Sequence, residues 1–160
     1  MNIANKVIVI TGGGQGLGLA MATSFAKLGA HLALIDVNRE VLASAVSELS
    51  SLNVKVKSYI ANVTNESEVE TTFKQIKDDF GTIDGLINNA GILRDGLLIK
   101  VKDGQVVKKM SIEQFQSVID VNLTGVFLCG REAAVHMIEA GNKGVIVNMS
   151  SIARGGNMGQ

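Results

Sequence analysis

The chain has 160 residues, 46% of them hydrophobic, with one tyrosine, five phenylalanines and no tryptophan, and its 15 lysines and arginines balance 15 aspartates and glutamates. That length suits one domain over 1–160 rather than two, and a core of Val, Ile, Leu and Ala suits strands covered by helices on both faces. The balanced charge excludes the electrostatic footprint of a nucleic-acid or polybasic membrane partner and leaves a small neutral-to-anionic ligand.

The first residues, "MNIANKVIVITGGG", hold only a short apolar run before glycines, too short for a signal-peptide core or a membrane span, so a cytoplasmic chain is expected. Residues 6–11, "KVIVIT", are the first strand. Leu17, Ala20, Met21, Ser24 and Leu28 then recur at helical spacing, with Gly29 as the stop. Residues 31–36, "HLALID", are the second strand, and Asn38 caps a helix that buries Leu42, Ala45, Val46 and Leu49.

The third strand, 54–61, alternates: Lys55, Lys57 and Tyr59 share one face, and lysines of this kind guard a sheet edge. A third helix buries Val69, Thr72, Phe73, Ile76 and Phe80 and is closed by Gly81; 83–91, "IDGLINNAG", is the fourth strand leaving into a loop. Residues 97–110 break the rhythm, and Asp103-Gly104 between two β-prone runs predicts a small inserted hairpin. Ser111 with Gln114 makes a capping-box pattern for a long helix to about Ala140, whose buried stripe is Phe115, Val118, Ile119, Asn122 and Val126. Cys129, in the apolar setting "GVFLCG", is a core residue, and 143–150 is the fifth strand. Strands alternating with helices predict a Rossmann-like, doubly wound α/β parallel sheet of order 3-2-1-4-5.

The strongest chemical signal is 11–18, "TGGGQGLG", between the first strand and the first helix. A pyrophosphate needs a sharp turn off the strand, exposed backbone N–H groups and the positive end of a helix, and glycines permit all three. The spacing of Gly12, Gly16 and Gly18 is G-x-x-x-G-x-G rather than the general G-x-G-x-x-G. Asp36 ends the second strand, where a carboxylate accepts hydrogen bonds from an adenosine ribose and repels a 2′-phosphate, so NAD is preferred over NADP. A plain solvated strand end is the alternative, and Arg39 nearby is able to accommodate a phosphate. Residues 88–91, "NNAG", lie at a strand's C-terminal end and read either as a turn or as a cofactor approach. Asn122 falls on an apolar stripe and must have a partner: a bond to a neighbouring strand, or an active-site water. Ser150 and Ser151 end the fifth strand, at the ligand crevice of such sheets, although serine is also common in ordinary loops. His31 and His136 lie away from the strand C-termini, and no metal is expected.

Taken together, T-G-x-x-x-G-x-G at 11–18, Asp36, "NVT" at 62–64, "NNAG" at 88–91, "VNLTG" at 121–125 and "VNMSS" at 147–151 resemble the short-chain dehydrogenase/reductase family. The wording of "GILRD" and "IDVNLTG" is similar to its 3-oxoacyl-acyl-carrier-protein reductase branch and related alcohol dehydrogenases. The resemblance implies that Gly12, Gln15, Gly16, Leu17 and Gly18 hold the pyrophosphate and nicotinamide side. It implies that Asp36 holds the adenine ribose, Asn62 and Val63 the adenine, and Asn89, Ala90 and Gly91 the cofactor ribose region. Asn122 would support a proton-relay water, Ser151 would be catalytic, and Ser150 structural.

Three departures stand out. Asn62 replaces the usual Asp before Val-Thr, the 97–110 stretch is longer than usual, and the family's Tyr-x-x-x-Lys is absent. The expectation is therefore an N-terminal portion of a dinucleotide-binding oxidoreductase, with its C-terminal strands missing and inactive as 160 residues. It would act on a small-molecule carbonyl or alcohol and form a homo-oligomer, a dimer or tetramer; without further strands the fifth would be an unguarded apolar edge. The alternative is a nucleotide-binding protein that has lost the chemistry. A methyltransferase would share the glycine turn and acidic strand end but makes no use of "NNAG" or the serines.

Overall fold

The computed structural model describes residues 2–156. Residues 157–160 lie outside the described residues. Five strands, β1 (Val7–Thr11), β2 (His31–Asp36), β3 (Val56–Ile60), β4 (Gly85–Asn88) and β7 (Val145–Asn148), form one parallel sheet in the order β3-β2-β1-β4-β7. This is the expected 3-2-1-4-5 arrangement of a Rossmann-like α/β fold, with shorter ends on the third, fourth and last strands. Strands β5 (Ile99–Lys102) and β6 (Gln105–Lys109) form a separate antiparallel hairpin, turning through Asp103 and Gly104 at φ of 49° and 75°.

Alternation along the central strands divides the core. Ile8, Ile10, Leu32 and Leu34 face α1 (Gly16–Lys27) and α2 (Arg39–Leu49), meeting Ala22, Ala26, Leu42, Ala45 and Leu49. Val9, Ala33, Ile35 and Leu86 face the other way, onto α3 (Glu66–Phe80) and α5 (Gly125–Glu139), meeting Phe73, Ile76, Leu128 and Ala133. Strands covered on both faces explain the continuous apolar runs. Helices α2 and α3 begin at the side-chain caps of Asn38 and Asn65, and Gly81 ends α3 in the left-handed conformation. Arg131 ties α5 to α3 by ion pairs to Glu66 and Glu70 at 2.8 and 3.3 Å. Cys129 is buried in this layer, and burial pushes its thiol up to about 12.

One expectation is sharpened and one is corrected. The third strand is an outer strand of the sheet, as expected, and Lys55, Lys57 and Tyr59 share one face, which packs on α3. Tyr59, on their side, is 8% exposed and packs on α3, and Lys57 and the Tyr59 hydroxyl both bond the Asp79 carboxylate. The Lys55 ammonium nitrogen lies 4.6 Å over the Phe80 ring, so the positive charges meet the last turn of α3. It is Ile60, on the opposite face, that is exposed.

The long helix from 111 is not one regular α-helix with a buried stripe. It runs as α4 (Ile112–Ile119), a π-helical segment (Asp120–Thr124) and α5, and no residue of α4 or of the π segment is buried. The wide turn breaks the 3.6-residue period, so Phe115 and Asn122 do not lie on the face that Leu128, Cys129 and Ala133 bury. Gly125 follows the wide turn because a Cβ there would come within 2.8 Å of Val63 Cγ2.

Candidate functional site

The loops at the C-terminal ends of β1, β2, β3 and β4 converge on one cleft of about 370 Å³. Gly12 and Gln15 line it at the centre, Asp36, Asn62 and Val63 on one side, and Asn89, Ala90 and Gly91 on the other. The chain turns through Gly12 at φ 63° and Gly16 at φ 56°, conformations that L side chains rarely adopt. Gly18 is buried beneath the turn, where a Cβ would stand 2.1 Å from the Gly12 carbonyl oxygen, so its part is to let α1 start directly under the loop. Leu17 is 59% exposed and does not line the cleft.

Helix α1 opens onto this turn without a side-chain cap at Gln15 and without an acidic residue in its first turn. Its free N–H groups and positive end are therefore left to an outside acceptor. A Cβ at Gly16 would meet nothing within 4 Å, which leaves space above the turn for a phosphate. These residues fit a dinucleotide's pyrophosphate.

The turn is held from β4. Asn89 donates both amide hydrogens, to Thr11 O at 3.0 Å and Gly12 O at 3.1 Å. The Thr11 hydroxyl oxygen accepts the Asn89 and Ala90 N–H groups, each at 3.0 Å. Sequence reasoning gave Thr11 no role, although a hydroxyl buried at a strand end always needs partners. On the β2 side the Asp36 carboxylate accepts from Gly14 N at 3.3 Å and Asn38 N at 3.1 Å, leaving lone pairs for a ligand's hydroxyls. Asn62 Oδ1 accepts from Thr64 N at 3.1 Å and Thr64 Oγ1 at 2.9 Å, which aims its amide from a fixed loop.

A second hollow of about 340 Å³ adjoins the cleft, sharing Asn89, Ala90, Gly91 and Ile92 with it, and contains Asn122, Ser150 and Ser151. Asn122 clamps the loop after β4 by reciprocal bonds: Ile92 N donates to Oδ1 at 2.9 Å, and Nδ2 donates to Ile92 O at 3.0 Å. Its partner is thus a loop backbone, and the π segment supplies the turn that carries Asn122 there. Ile92 borders both hollows, and its generic side chain gave no sequence signal. Ser151 caps a 3-10 turn (Ile152–Gly155), its oxygen accepting Ala153 N–H at 3.1 Å, which leaves its hydroxyl proton free to be donated. Asn88 binds Asn148 Oδ1 at 2.9 Å, joining β4 to β7 below the serines. His31 accepts from Lys55 N at the opposite end of the sheet, and His136 lies in the last turn of α5. No helix among the described residues is long and apolar enough to cross a membrane.

Comparison with known proteins agrees with this geometry. The chain is 38% identical over its whole length to a 3-oxoacyl-acyl-carrier-protein reductase of Thermotoga maritima, spanning 61% of that protein. It is 33% identical to a 3alpha-hydroxysteroid dehydrogenase of Mediterraneibacter gnavus, covering 95% of this chain and 58% of that one. A crystal structure of NAD+-bound xylitol dehydrogenase superposes with a TM-score of 0.85 at 35% identity, over 98% of this chain and 57% of that one. A short-chain type dehydrogenase/reductase from Mycobacterium marinum superposes with a TM-score of 0.86 at 29% identity, over 99% and 61%. The chain therefore spans about three fifths of the length of these relatives. Residues 6–159 match the short chain dehydrogenase family, and the chain belongs to that family.

Proposed function

We propose that this chain forms the cofactor-binding part, and some of the catalytic part, of an oxidoreductase acting on a small-molecule carbonyl or alcohol, with NAD preferred over NADP. The observation that carries the proposal is the continuity of the cleft over the glycine turn with the hollow that holds Ser151 and Asn122. When bound, the nicotinamide ring supplies the hydride or takes it up. The N–H groups of the glycine turn and of α1 bind the pyrophosphate, Asp36 takes the ribose hydroxyls, and Asn62 and Val63 border the adenine. Asn89, Ala90 and Gly91 keep the main chain close to the second ribose. Ser151 donates a hydrogen bond from its hydroxyl to the substrate oxygen and orients it. Asn122 holds the loop in place and retains one donor and one acceptor site for a water.

Exposed Leu123 and Phe127, at the junction of the π segment and α5, suit a homo-oligomer contact.

The test is a pair of titrations of NADH and NADPH, followed by cofactor fluorescence, on the parent protein and Asp36→Ser. NADH binds the parent about tenfold more tightly or better, a difference of at least about 1.4 kcal/mol. Asp36→Ser narrows the gap by relieving repulsion of the 2′-phosphate. Equal affinities in the parent would overturn the preference, and failure of both cofactors to bind would overturn the function.

A further inference from the structure

Beyond the serine hollow the depression continues. A third hollow, about 330 Å³, shares Ile92, Leu93 and Asn122 with it and is walled by Leu98, Met110, Phe115 and Val118. A fourth, about 290 Å³, shares Asp95, Gly96, Met110 and Gln114 with the third and ends at Lys100 and Lys108 on the hairpin. Following the depression outward from Ser151, the lining is polar, then mainly apolar with Arg94 and Asp95 among it, then cationic at Lys100 and Lys108.

The hairpin's register explains the cationic end. Lys100 pairs with Lys108, Lys102 with Gln105 and Val101 with Val106, and the skipped residue is Val107. Opposed and alternate residues share a face, so Lys100, Lys102 and Lys108 lie together while Ile99, Val101 and Val106 lie on the reverse. Like charges placed directly opposite each other destabilise a hairpin. No ion pair among the described residues involves Lys100, Lys102, Lys108 or Lys109. Asp95 is the one carboxylate lining the fourth hollow among the described residues, against two lysines. Residues 97–110 carry four lysines and one aspartate in a chain of zero net charge. Met110 N donates to Leu98 O at 2.9 Å and closes the hairpin at its base, and Gln114 Nε2 donates to Arg94 O at 2.7 Å and holds the loop before it to α4.

We propose that Lys100 and Lys108 bind an anionic group, carboxylate or phosphate, at the far end of an apolar substrate whose carbonyl or alcohol reacts beside Ser151. The proposal rests on the oxidoreductase reading for the reacting end; the lysine pair itself rests on the hairpin. An unpaired cationic pair beside an apolar trough selects amphipathic anions, because the trough accepts the chain and the ammonium groups take the charge.

The experiment uses the full protein with NADH and three probes: a linear medium-chain methyl ketone, the same ketone ending in a carboxylate, and the same ketone ending in a phosphate ester. The parent is expected to favour one or both anionic probes over the neutral one by about tenfold in kcat/KM, and the larger ratio names the anion. In Lys100→Gln/Lys108→Gln that ratio drops at least about fivefold, and Asp95→Asn raises it. Acetylation footprinting by mass spectrometry gives a second readout that needs no turnover: the preferred anionic probe protects Lys100 and Lys108 while the neutral ketone does not. If NADH binds and no probe is reduced, the reaction reading fails, and the footprint alone decides the lysine site. Equal use of neutral and anionic probes, a ratio that persists in the double variant, or absence of protection would overturn it.

Discussion

The two outer strands of the described sheet, β3 and β7, are covered in different ways. On β3, Lys57 and Tyr59 bond the Asp79 carboxylate, and Lys55 just before it lies over the Phe80 ring, so α3 covers that side of the strand. β7 is apolar along Val145, Ile146 and Val147, and all three are exposed. Among the described residues it pairs with β4, by the sheet ladder and the Asn88–Asn148 bond, and touches α5. The cleft differs along its length as well. Its adenine side is held by backbone N–H groups on Asp36 and by Thr64 on Asn62, and its serine side by the reciprocal bonds of Asn122 with the Ile92 backbone.

The largest test of this contrast is a pair of truncations. Phe73→Ala, in the fully buried layer under β3, is expected to cost about 3–5 kcal/mol in denaturant unfolding. Ile146→Ala on β7, 38% exposed, costs about 1 kcal/mol or less. Similar costs for the two would break the contrast. Gly125→Ala sharpens it, since Gly125 brings α5 against Val63 beside the adenine side of the cleft. A Cβ 2.8 Å from Val63 Cγ2 forces one of them to move, at about 1–3 kcal/mol, with weakened NADH binding as the second readout.

The smallest effect concerns Asp79. Hydrogen bonds from Lys57 and Tyr59 hold its carboxyl below the usual carboxylate range. A folded pKa below the unfolded one gives a contribution present in full above about pH 4 and lost as pH falls through the folded value. Asp79→Asn is therefore less stable than the parent at neutral pH, and urea midpoints of the two converge in acid. A gap that widens on acidification would contradict this account of the β3 edge.

Much of this was legible in the residues because it rests on local rules. Apolar runs of four to six residues alternating with helical stripes specify strands and crossovers, and right-handed crossovers leave few sheet orders. The glycine turn and Asp36 were readable because a sharp turn and a strand-end carboxylate are properties of single positions. The face of Tyr59 was legible but its partner was not, because the helix residue that bonds it, Asp79, lies 20 positions away. Regular periodicity also hid the π segment, since one widened turn moves every later side chain without changing composition.

The sequence by itself determined the strand order, the glycine-rich turn and the family, since each depends on spacing along the chain. Only the tertiary structure decided that Asn122 clamps Ile92, that Thr11 receives the loop after β4, and that the lysine pair of the hairpin ends a trough leading from Ser151. Those relations join atoms from separate elements, and their geometry exists only after the sheet has brought the strand ends together.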